Sequence, residues 1–80
     1  MKLTRQVLLD AVRTALENRD VALDSNSDDT DGWDSLGQLS ILSKLDEITD
    51  GKSSKIEGLE FCKSVKQLAD KLRSVKLLSD

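Results

Sequence analysis

The chain has 80 residues with 15 acidic and 12 basic side chains, a net charge of −3, one cysteine and no histidine. This length predicts one small domain over residues 1–80, and the single cysteine excludes an internal disulfide. The acidic balance argues against nucleic acid as a partner, and the missing histidine removes the commonest metal ligand and general base.

The N-terminal residues 1–5 lack the apolar stretch of a secretory signal. No apolar run approaches the ~18 residues that a membrane span requires. We therefore expect a soluble, cytoplasmic protein without a membrane span, in a compartment where an unpaired cysteine stays reduced.

The absence of proline and the helical spacing of the apolar residues predict an all-α fold. The first helix is expected to begin after the N-cap Thr4, with Leu3 and Leu8 as a hydrophobic staple, and to end near Arg19. Its predicted buried stripe consists of Leu8, Ala11, Val12, Ala15 and Leu16.

A long acidic loop is predicted over residues 20–34, which hold six aspartates and no lysine or arginine. A connection of this length is either a functional segment or a surface connector, and the composition leaves both open. We expect Val21 and Leu23 to hold the loop against the core, with Trp33 packed on the helices as an anchor.

The second helix is predicted over about Ser35–Thr49, and Gly51 stands where a left-handed cap would end it. Apolar residues cover more than half of its circumference, so it should contact more than one neighbour. These apolar residues are Leu36, Leu39, Ile41, Leu42, Leu45 and Ile48. The positions left for solvent are Gly37, Gln38, Ser40, Ser43, Lys44 and Glu47.

The remaining chain predicts a short helical turn and a last helix. Residues 52–62 should form a loop around that turn, with Ile56, Leu59 and Phe61 facing inward. A capping box at residues 64–67 then begins the last helix, whose apolar residues are Val65, Leu68, Ala69, Leu72 and Val75. The predicted architecture is a small four-helix bundle of three main helices and one short helix, with a long first loop.

The chain has few of the residue types and spacings that catalysis or metal binding requires. Residues from Asp24 onward begin like a calcium loop, but Asp29 and Ser35 occupy the positions that require glycine and glutamate. Neither Ser35 nor Cys62 has a histidine to activate it, and Cys62 is interpreted as a small buried thiol. We therefore expect no metal site and no enzymatic activity.

Ser35 is the candidate functional residue, because a hydroxyl at a helix start lies beside unpaired amide groups and the positive end of the helix dipole. That environment favours a phosphate group. Two capping arrangements are open: Ser35 and Gln38 form an S-x-x-Q capping box, or Asp34 is the cap and Ser35 belongs to the first turn.

The segment Asp34-Ser35-Leu36, with the following Leu39, Leu42, Leu45, Asp46 and Glu47, resembles the attachment motif of acyl carrier proteins and peptidyl carrier domains. The resemblance extends to the length, the acidic charge, the long first loop and the order of the helices. It implies a four-helix bundle in which Ser35 bears a covalent 4′-phosphopantetheine group derived from coenzyme A. Asp34 would contribute to the loading site, since the Mg²⁺ used by the transferase prefers carboxylate oxygen.

The resemblance also implies the partners: a phosphopantetheinyl transferase, a ligase that loads acyl or aminoacyl groups, and downstream biosynthetic enzymes. The expected recognition face consists of Leu36, Ser40, Ser43, Asp46 and Glu47. Only Asp46 and Glu47 make it acidic, which predicts weak electrostatic steering and a specialised pathway rather than bulk fatty-acid synthesis.

Two functional interpretations follow. The first is a free-standing, monomeric carrier of thioester-linked intermediates, and the second is a small helical interaction module in which Ser35 is only a helix cap. The two differ in whether Ser35 is modified.

Overall fold

The computed structural model describes residues 3–79, so Met1, Lys2 and Asp80 of the predicted single domain lie outside the described residues. Its elements are α1 (Arg5–Leu16), α2 (Ser35–Ile48), two 3₁₀ turns (Ser53–Lys55 and Leu59–Phe61) and α3 (Val65–Ser74). The all-α class is confirmed. Within residues 3–79, the expected short helix is replaced by the two 3₁₀ turns.

Helix α1 begins as predicted and ends earlier than predicted. The Thr4 side chain accepts a hydrogen bond from the Val7 amide at 3.2 Å. The last helical residue is Leu16 rather than a residue near Arg19, because Glu17 adopts a left-handed backbone with φ 53°. The Asn18 amide then bonds back to the Arg13 carbonyl at 3.1 Å, which closes the helix end.

Helix α2 packs against α1 and both 3₁₀ turns, which agrees with the prediction of several neighbours. Its buried face differs from the predicted one. Gly37 and Gln38, expected in solvent, are buried with Ile41 and Leu45. Leu39, counted in the apolar arc, is 63% exposed, and Leu36, expected on the recognition face, is 74% exposed. The apolar arc was too wide for periodicity to say which part meets the neighbours.

The 3₁₀ segment places two of its three expected core residues inside. Ile56 and Leu59 are buried, whereas Phe61 is 74% exposed, so its predicted inward position is wrong. In a 3₁₀ turn, side chains three positions apart share a face. Leu59 and Cys62 both face the core, which leaves Phe61 on the outside.

Helix α3 begins at the predicted capping residues. The Ser64 hydroxyl accepts from the Gln67 amide at 3.1 Å, and the Gln67 side chain accepts from the Lys63 amide at 2.7 Å. The helix ends at Ser74, and the left-handed backbone of Lys76 turns the chain away. Val75, predicted as the last apolar residue of the helix, is instead its C-cap and is exposed.

The core lies between the three helices and receives the long loop and both ends of the described chain. Val21 and Trp33 are buried as predicted, whereas Leu23 is exposed and does not hold the loop. Leu3 and Leu78 are both buried and pair across a parallel bridge. Within residues 3–79, no helix is long and apolar enough to cross a membrane.

Candidate functional site

Ser35 is the first residue of α2, and its neighbour Asp34 is the N-cap. The Asp34 Oδ1 accepts from the Gly37 amide at 2.9 Å, and the Asp34 carbonyl accepts from the Gln38 amide at 2.8 Å. Of the two capping arrangements, the Asp34 cap is therefore correct. The Ser35–Gln38 capping box, and with it the interpretation of Ser35 as a cap, is wrong.

The Ser35 side chain is exposed, and within residues 3–79 no group forms a hydrogen bond with its hydroxyl. In the same part of the chain, the backbone amides of Ser35 and Leu36 also have no acceptor, as is usual for the first turn of a helix. Free amides and the positive end of the helix dipole favour a negative group here, by ~0.3–1 kcal/mol at an exposed site.

Gly37 fixes how closely this helix start approaches the rest of the protein. A Cβ built on Gly37 would overlap the Gly32 carbonyl oxygen and lie 2.7 Å from Leu16 Cδ2. Gly32 itself has φ +88°, a conformation that favours glycine. The two glycines thus seat the first turn of α2 directly on the end of α1 and the loop, with Ser35 at the surface.

Gln38 joins the helix start to two other segments. Its Oε1 accepts from the Trp33 indole N–H at 2.6 Å, and its Nε2 donates to the carbonyls of Glu60 at 3.1 Å and Cys62 at 2.8 Å. Sequence reasoning placed Gln38 in solvent and missed this role. The available signal was the need of a buried Trp33 indole for an acceptor.

The expected recognition residues share one side of α2, because helical spacing brings their positions together. Four of them are exposed and Asp46 is half-buried. Leu39, which sequence reasoning assigned to the core, belongs to the same side. We call this surface the outer face of α2, and it consists of Leu36, Leu39, Ser40, Ser43, Asp46 and Glu47.

The acidic loop is held by bonds to both of its neighbours. Arg13 Nε donates to the Val21 carbonyl at 2.9 Å, beside the end of α1. At the start of α3, the Ser27 amide donates to the Lys63 carbonyl at 2.7 Å, and the Val65 amide donates to the Ser25 carbonyl at 3.1 Å. These contacts fix the path of the chain that leads to Ser35.

Metal-ligand clusters and reactive thiols are the other kinds of chemical site to which acidic and cysteine side chains contribute. In the described part of the chain, no group of three or more His, Cys, Asp or Glu side chains is placed to hold a metal ion. Cys62 is buried as predicted, and this burial raises the pKa of its thiol above the ordinary value. A thiol with a raised pKa stays protonated at neutral pH, which makes Cys62 a poor nucleophile.

No protein-family model matches the chain, and no significant match is found among curated proteins or solved structures.

Proposed function

We propose that this chain is a carrier protein that holds acyl or aminoacyl thioesters on a 4′-phosphopantetheine group joined to Ser35. The observation that carries the proposal is the state of the Ser35 hydroxyl, which is exposed and makes no hydrogen bond within residues 3–79. Because Asp34 performs the capping, modification of Ser35 would leave the helix start intact.

The residues present fit such a group. Its phosphate would lie beside the free amides of Ser35 and Leu36, where negative charge is favoured. When bound, the group would supply the thiol that carries the cargo as a thioester. Asp34 keeps one carboxylate oxygen outside the cap bond, so it is available to the Mg²⁺ of the loading enzyme.

The outer face of α2 is the proposed docking surface for the transferase, the loading ligase and the downstream enzymes. Leu36 and Leu39 offer exposed apolar contacts next to Ser35. Asp46 and Glu47 are the only charged residues of this face. This low charge supports recognition of partners by apolar contact more than by long-range electrostatic attraction. A dedicated pathway fits this surface better than bulk fatty-acid synthesis.

The arrangement of elements supports the same proposal. An all-α chain with a long first loop, a central helix that begins at the modified serine and a capped last helix is what the carrier resemblance implies. The carrier-type four-helix bundle is part of the proposal, with the two 3₁₀ turns taking the place of the short helix.

The test is intact-protein mass spectrometry after incubation with coenzyme A, Mg²⁺ and a broad-specificity phosphopantetheinyl transferase. We expect the addition of one phosphopantetheine, its loss in Ser35→Ala and its retention in Ser74→Ala, which removes an exposed serine hydroxyl from α3, away from the outer face of α2. Absence of the added mass with several transferases, or its persistence in Ser35→Ala, would overturn the proposal.

The exposed Leu36, Leu39 and Phe61 also favour a second candidate, a helical interaction module that works without modification. It predicts that a protein with no added mass still binds its partner and that Ser35→Ala leaves this binding unchanged. A partner that binds only the modified form would exclude this candidate.

A further inference from the structure

A groove of about 370 Å³ lies between α2 and the two 3₁₀ turns. One part of its lining is apolar and comes from Leu39, Leu42, Ile56 and Leu59. The other part is polar and comes from Ser43, Asp46, Ser53, Ser54 and Glu60. The volume is that of a small-ligand site. Because one part of the lining is apolar and the other polar, the groove suits a ligand with an apolar chain and a polar end.

Two of the polar side chains of this groove that are not exposed form no hydrogen bond among residues 3–79. Asp46 Oδ1 is a buried oxygen that accepts no hydrogen bond. Ser53 is 2% exposed, and its amide donates to Thr49 Oγ1 while its own hydroxyl remains unpaired. Within residues 3–79, Asp46 Oδ1 is the one buried side-chain oxygen or nitrogen without a partner. Such atoms are costly and uncommon, so a ligand that donates to the Asp46 carboxylate would gain.

The charge of the groove selects the kind of donor. Its lining contains the carboxylates of Asp46 and Glu60 and neither lysine nor arginine. A cation is therefore attracted and an anion repelled. A primary ammonium has three N–H donors, which can reach the Asp46 carboxylate, the Ser53 hydroxyl and one further oxygen at the polar end.

We propose that this groove binds a primary ammonium group at the end of a short aliphatic chain. The ammonium donates to Asp46 and Ser53, and the chain lies along Leu39, Ile56 and Leu59. The proposed binding of an ammonium group does not depend on the proposed carrier function. The use of the groove for cargo does rest on that function. In that case the cargo is an acyl group that bears a distal amine, rather than a plain fatty acyl chain.

The position of the groove agrees with delivery from Ser35. At 1.5 Å per helical residue, Leu39 lies ~6 Å and Asp46 ~16 Å from Ser35 along the axis of α2. The whole groove therefore lies beside the helix that bears Ser35, close to the attachment point of the arm that would carry the cargo.

The test uses the unmodified protein and three free probes of equal chain length: hexylammonium, 1-hexanol and hexanoate. Binding is followed by ¹H–¹⁵N chemical-shift titration at constant ionic strength. We expect hexylammonium to shift the groove amides, including Asp46 and Ser53, with a dissociation constant about fivefold below that of 1-hexanol, and hexanoate to bind weakest.

Two charge-matched variants locate the effect. Asp46→Asn should bring the affinity for hexylammonium down to that for 1-hexanol. Glu47→Gln removes the same charge from a neighbouring exposed position outside the groove lining and should retain the preference. Equal affinities in the unaltered protein, shifts outside the groove, or a preserved preference in Asp46→Asn would overturn the inference. Because no phosphopantetheine is involved, these outcomes are independent of whether Ser35 can be loaded.

Discussion

The two faces of α2 contrast in an unusual way. The inner face buries a polar residue, Gln38, among Ile41 and Leu45, whereas the outer face exposes Leu36 and Leu39 to solvent. Simple partition of polar and apolar side chains predicts the reverse. The inner glutamine is stable there because all its hydrogen bonds lead to fixed partners, and the outer leucines lie where a partner protein can cover them.

This contrast indicates that the two faces of α2 have different roles. The inner face determines where the helix start sits and how firmly it is held. The outer face contributes little to folding and is therefore free to serve recognition. Substitutions on the two faces should separate stability from function.

The largest loss of stability is expected for Gln38→Leu. The leucine fills the same space but leaves the Trp33 indole and the carbonyls of Glu60 and Cys62 without their partner. At ~1 kcal/mol for each lost bond, the free energy of unfolding should fall by about 3 kcal/mol in urea denaturation.

Gln67→Leu is the matched control, since that glutamine is exposed and makes one side-chain bond, to the Lys63 amide. Its cost should stay near 1 kcal/mol, as for a lost helix cap. Equal losses in the two variants would contradict the structural role assigned to Gln38.

Gly37→Ala should have the next largest effect. The added methyl group meets the Gly32 carbonyl and Leu16, so the helix start must move away from the loop. The overpacking should cost about 3 kcal/mol, and the better helix propensity of alanine should return about 1 kcal/mol. The free energy of unfolding, measured by urea denaturation, should therefore fall by about 2 kcal/mol. Ser40→Ala on the outer face should change stability by less than ~0.5 kcal/mol. A stabilised Gly37→Ala protein would show that this close approach is not required.

The pair Asp34→Ala and Ser35→Ala separates the cap from the attachment residue. Loss of the Asp34 cap should reduce the free energy of unfolding by about 1 kcal/mol, and loss of Ser35 should change it by less than ~0.5 kcal/mol. Thermal and urea unfolding of both variants measure the difference. A larger loss in Ser35→Ala than in Asp34→Ala would return the capping role to the serine.

Local signals in the sequence were sufficient for the helix starts. Thr4 and Ser64 were predicted as caps and act as caps, because a side-chain cap involves only residues within one turn. The end of α1 was placed too late, because the left-handed Glu17 that ends it has no glycine to mark it. The burial of Trp33 followed from its size and its place in a polar loop.

The orientation of α2 could not be predicted from its own residues. With apolar side chains over more than half of the helix, periodicity gives no single buried direction, and the neighbours decide. Gln38 is buried because Trp33 and two carbonyls from a distant segment meet it, which no local pattern records. Likewise, Ser35 was identified as the candidate residue, but only the Asp34 bond to Gly37 shows that its hydroxyl is not the cap.

The smallest change in stability and the clearest change in function are expected for Leu36→Ser. Leu36 is largely exposed, so its loss should alter the free energy of unfolding by less than ~0.5 kcal/mol. If the outer face of α2 receives the loading enzyme, kcat/KM for phosphopantetheine transfer should fall about tenfold, the scale of a contact that matters at an interface. Phe61→Ser removes an equally exposed apolar side chain that lies off this face, and it should leave the transfer rate unchanged. Similar rates for Leu36→Ser and the unaltered protein would mean that exposure of the leucines has no part in loading, and the two faces of α2 would then differ in packing alone.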